Sequence, residues 1–75
     1  MDRYSLIGEG RARFRRMKLS LDASDVTDGY RVLEYLYEKG PGSIDEIGEA
    51  TGLSREQVVY QLQTYMSHGM VEELD

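Results

Sequence analysis

The sequence predicts an α+β fold of three helices and a small antiparallel sheet, and three observations predict it. An apolar stripe of helical period runs from Val26 to Tyr37. Two Ser-x-x-Glu/Gln boxes follow, set either side of Gly52. The tail Met70-Val71-Glu72-Glu73-Leu74 then alternates as a short strand does. At 75 residues the chain makes one domain.

The first helix is expected to open on Ser24 or Asp25 as N-cap, with Asp28 in its first turn. Val26, Tyr30, Leu33, Leu36 and Tyr37 recur at spacings that place them on one face. Lys39 falls in the last turn, and Gly40-Pro41-Gly42 stops the helix. Ser43-Ile44-Asp45-Glu46 reads as a capping box opening a second helix, with Ile44, Ile47 and Ala50 inward and Gly52 at its end. Ser54-Arg55-Glu56-Gln57 repeats the device for a third helix. Its buried stripe is Val58, Leu62, Tyr65 and Met66, and His68-Gly69 ends it.

Two capped helices joined by Thr51-Gly52-Leu53 have the spacing of a helix-turn-helix. Gly52 tolerates the positive φ the turn needs, and Leu53 is expected to drop into the core beside Ile47, Leu62 and Leu33. The run SIDEIGEATGLSREQVVYQLQTYMSHGMVEEL is similar to the repressor-type winged-helix pattern of the ArsR and MarR groups. There Ser-x-x-Glu-Ile-x-x-x-Thr-Gly-Leu-Ser leads into a recognition helix that ends in Gly-apolar-Val. The resemblance covers roughly residues 28–74. It implies a winged helix-turn-helix, double-stranded DNA as partner, a role in transcription regulation and a homodimer, although no long dimerisation helix can be read. Aligned on that pattern, the groove-facing positions are Ser54, Arg55, Gln57, Val59, Tyr60, Gln61, Gln63 and Thr64. Gln pairs with adenine and Arg with guanine in a major groove, which suits DNA.

Residues 1–22 are expected to form a basic arm or strand, and residues 23–75 the winged-helix domain. Met17, Leu19 and Leu21 alternate with Arg16, Lys18 and Ser20, which favours a strand ending near Leu21; a short basic helix from Arg11 to Arg16 is the alternative. Gly8-Glu9-Gly10 reads as a flexible hinge. Because few residues follow Gly69, the second wing strand is expected from the N-terminal segment, with Arg16–Leu21 the first choice and Tyr4–Ile7 the second, or else the wing is absent.

The net charge of −5 hides a split. Residues 1–18 carry Arg3, Arg11, Arg13, Arg15, Arg16 and Lys18 against two acids, a net of +4. Residues 19–75 carry Arg31, Lys39 and Arg55 against twelve acids, a net of −9. The segment from Arg11 to Lys18 either supplies phosphate contacts to DNA or neutralises the acidic body. Between residues 40 and 75 Arg55 is the one Lys or Arg, and Val59 and Tyr60 put apolar bulk where the family pattern is polar or basic. Those departures open a second reading, a winged-helix protein-interaction module that binds through Val59 and Tyr60.

An enzyme is not expected. The single His, His68, falls in the last turn of the third helix, where a cation complements the helix dipole. There is no Cys, and no His/carboxylate set has metal-ligand spacing, so no metal or cofactor is implied. No apolar run approaches the ~20 residues of a membrane span, and no apolar core follows the basic stretch as in a signal peptide, so a cytoplasmic protein is expected.

Overall fold

The computed structural model describes residues 3–22 and 26–74. In chain order it holds β1 (Arg3–Leu6), α1 (Gly8–Leu19), α2 (Asp28–Lys39), β2 (Gly42–Ser43), α3 (Ile44–Thr51), α4 (Arg55–Ser67) and β3 (Val71–Leu74). The three helices expected from periodicity are α2, α3 and α4, and α1 is a fourth. The strands form one antiparallel sheet in the order β2-β1-β3.

The caps fall where local chemistry provides acceptors. The Thr27 hydroxyl accepts from the Tyr30 amide at 3.2 Å, so α2 begins later than the N-cap expected at Ser24 or Asp25. Those two residues lie outside the described ones. Gly40, at φ 85°, ends α2. Both capping boxes form. Ser43 Oγ accepts from the Glu46 amide at 3.1 Å while the Ser43 amide donates to Glu46 Oε1 at 2.9 Å. Ser54 Oγ accepts from the Gln57 amide at 3.2 Å while the Ser54 amide donates to Gln57 Oε1 at 2.9 Å. Between them Gly52 takes the left-handed conformation at φ 79°. Thr51 braces this turn by donating to the Ile47 carbonyl at 2.7 Å and accepting from the Leu53 amide at 3.3 Å.

The core joins β1, β3 and the four helices. Tyr4 and Leu6 of β1, Phe14 of α1, Tyr30, Val32, Leu33 and Leu36 of α2, Ile47, Val58, Leu62, Met70 and Val71 are buried together. Leu53, expected inside, is half-buried and packs on the edge of this core. Val26 and Ala50 are exposed, so the buried stripes of α2 and α3 are narrower than the sequence pattern suggested.

The largest correction is at the N-terminus. No strand runs through Arg16–Leu21. Met17, Leu19 and Leu21, which suggested one, are 40%, 84% and 37% exposed, and Phe14 is the buried side chain of α1, a helix that ends at Leu19. The partner of β3 is β1, with Arg3 opposite Leu74 and Leu6 opposite Val71. This is the second-choice pairing, shifted to start at Arg3. The Ile7 amide extends it by donating to the Met70 carbonyl at 3.1 Å. Gly8 and Gly10 form no hinge but the first turn of α1. Gly10 is buried because its bare Cα lies against the Met70 carbonyl, which a Cβ would overlap.

Candidate nucleic-acid interface

The helix α4 is gripped on one side and open on the other. Val58 and Leu62 are fully buried, and Tyr65 and Met66 pack on the core beside them. On the opposite side Glu56, Val59, Tyr60 and Gln63 succeed one another at i, i+3, i+4 and i+7, the spacing of a single helical stripe. With Arg55 they line a shallow groove of about 300 Å³. Tyr60 is 66% exposed and Val59 half-buried, so the middle of this face is apolar. Glu56 is missing from the positions aligned on the family pattern, although its spacing to Val59, Tyr60 and Gln63 already put it on their face.

The other aligned positions are engaged within the domain. The Gln57 side-chain oxygen and the Ser54 hydroxyl serve the capping box. Gln61 is half-buried beside Gly29 of α2: a Cβ on Gly29 would come within 2.9 Å of Gln61 Oε1 and would overlap the Tyr65 hydroxyl. Thr64 is half-buried and donates to the Tyr60 carbonyl at 2.9 Å. Arg55 Nη1 reaches Asp45 Oδ1 of α3 at 2.9 Å, with both side chains mostly exposed. Such a pair is worth at most about 1 kcal/mol and yields readily to a stronger anion.

The basic residues of α1 sit elsewhere. Phe14 inserts between Tyr30 and Tyr37 of α2, with ring centroids 5.1 and 5.0 Å away. Around this anchor Arg15 Nε donates to the Tyr37 hydroxyl at 3.4 Å, and the Arg11 guanidinium stands 5.6 Å from the centre of the Tyr37 ring. Lys18 Nζ pairs with Glu38 at 3.2 Å. The hydrogen bond from Arg15, reinforced by its charge, holds the Tyr37 phenol below its ordinary value. The hydrogen bond to Glu38 raises the Lys18 ammonium. Arg13 faces Glu9 one turn earlier at 4.0 Å, and Arg16 is exposed on the solvent side. Helix α1 thus meets α2 through Tyr30, Tyr37 and Glu38, whereas α4 meets α2 at Gly29. Those positions lie about a quarter-turn or more apart on α2, and none of the α1 cations lines the groove on α4.

No helix among the described residues is long and apolar enough to cross a membrane. Comparison with curated proteins and with solved structures gives no match. The model of one protein family, FaeA-like protein, matches residues 30–75, which run from the first turn of α2 through β3 and contain the whole helix-turn-helix. The helix-turn-helix character implied by the ArsR and MarR resemblance is therefore supported through a different family: the chain belongs to the FaeA-like proteins, helix-turn-helix-type regulators.

Proposed function

We propose that the domain is a DNA-binding transcriptional regulator that lays α4 in the major groove. The observation that carries this reading is the shape of α4. It is thirteen residues long, capped at Ser54, seated by Val58 and Leu62, and open along Arg55, Glu56, Val59, Tyr60 and Gln63. A helix of that length spans roughly 20 Å, and a B-form major groove admits it. Family membership supports the same reading.

A second reading rests on a specific observation, the engagement of α1 with the body through Lys18–Glu38 and Arg15–Tyr37. With none of those bases in the groove on α4, the Val59–Tyr60 face suits a protein surface, and the domain would act as an interaction module. A fluorescence-anisotropy titration separates the two. The full chain is titrated against unrelated duplexes and duplexes from upstream of its own gene, at low and moderate salt. The DNA reading expects saturable binding at low salt that weakens as salt rises. Absence of any duplex binding at low salt ends it and leaves the interaction module standing.

A further inference from the structure

The side chains best able to read bases by hydrogen bonds are the ones this fold withdraws. Of the three glutamines of α4, Gln57 gives its side-chain oxygen to the Ser54 amide and Gln61 lies half-buried against Gly29. Gln63 alone stays on the open stripe, at its far end from Glu56. The centre of the stripe is Val59 and Tyr60, and the cation beside it is Arg55, whose exposed pairing with Asp45 a phosphate can displace. A duplex seated here would meet a cation at one end and apolar atoms at the middle. In a major groove the one apolar group a base edge presents is the 5-methyl of thymine.

Building on the DNA reading above, we infer that α4 selects its site by thymine methyl groups, contacted by Val59 and Tyr60, and not by adenine amide pairing through Gln57 or Gln61. Val59 offers two methyls and Tyr60 the carbon edge of an exposed ring. Either packs against a thymine methyl and loses that contact on cytosine, which carries only a hydrogen at C5 and an amine in place of the thymine carbonyl. Glu56, at the near end of the stripe, accepts from that amine, so a cytosine is expected to flank the thymines and not to replace them.

The test uses the full chain and duplexes enriched from a random library at low salt. Each thymine of the preferred duplex is replaced by deoxyuridine, which removes the methyl and leaves the pairing edge intact. At one or two positions the replacement is expected to weaken binding roughly fourfold, the loss of one buried methyl. Tyr60→Ala and Val59→Ala should each shrink the ratio of thymine to deoxyuridine affinity, whatever they do to the affinity for either duplex. Tyr60 is mostly exposed, so its variant stays informative if Val59→Ala unfolds. Gln61→Ala should leave the thymine preference in place. Equal affinity for thymine and deoxyuridine duplexes, or an enriched set without thymine preference, overturns the inference and leaves DNA binding intact. Failure to enrich or bind any duplex at low salt overturns both.

Discussion

Two N-caps of the same design differ in one residue, and the difference makes one of them titrate. At α3 the box is closed by the Glu46 carboxylate, and at α4 by the neutral Gln57. The hydrogen bond from the Ser43 amide pulls Glu46 below the ordinary carboxylate value, with a smaller contribution from Arg3. A carboxyl lowered in the folded state stabilises it above the unfolded value of about 4.3, and that contribution disappears as pH falls through the folded value. Glu46→Gln keeps an acceptor for the Ser43 amide but removes the charge. The variant should melt below the parent at neutral pH, and the gap should narrow as pH falls below the unfolded value and through the folded one. Thermal melts across that range check it, and a gap that does not change with pH would show that the charge of Glu46 contributes nothing. Both serines were legible in the sequence because a capping box is local: the partners are three residues apart and need no tertiary context. Gln57 was legible as the partner of Ser54 for the same reason, but Gln61 was not, since whether a helical amide faces a groove or a neighbouring helix depends on what packs there. For Gln61 the deciding residue is Gly29, more than thirty positions away.

At the level of elements the same contrast separates α2, α3 and α4 from α1 and β1. The first three each carry a capping side chain and a glycine near the end, and their apolar residues recur at helical spacing. Helix α1 has neither a side-chain cap nor a stripe; Gly10 and Phe14 are the positions it buries. With one anchor, the alternation from Arg16 to Leu21 outweighed it in the sequence and pointed to a strand. The strand is instead β1, whose buried Tyr4 and Leu6 sit on one face with too few neighbours to announce themselves. The consequence is that the attachment of α1 rests heavily on one ring. Phe14→Ala should cost about 3–5 kcal/mol, a large share of the stability of a domain of this size. Urea unfolding followed by far-UV circular dichroism reads it. A loss below about 1 kcal/mol would mean that the aromatic cluster with Tyr30 and Tyr37 does not hold α1 in place.

Across the whole molecule the charge division read from the sequence is real, but its meaning changes once α1 is placed. As a free arm, the bases from Arg11 to Lys18 could reach the DNA held by any other part of the protein, and four or five phosphate contacts would give a log–log salt slope of roughly −4 to −4.5. Placed on α2, none of them lines the groove on α4, and Lys18 rests on Glu38 and Arg15 on Tyr37. Of the residues lining the groove on α4 Arg55 is the cation, and the acidic body opposes a duplex's approach. The expected slope is therefore shallow, about −1 to −2 at 0.9 per contact, with weak overall affinity. Arg55→Ala should flatten it by roughly 0.9. Changing Arg13 and Arg16, the α1 guanidiniums farthest from Tyr37, to Ala should leave both slope and affinity nearly unchanged. Titrations of the three proteins over a range of salt concentrations check this directly. A parent slope near −4 that the Arg13 and Arg16 changes flatten by nearly two units would show that the duplex reaches α1 as well. The DNA would then have to bend around the flank of α2, or a second duplex would occupy it.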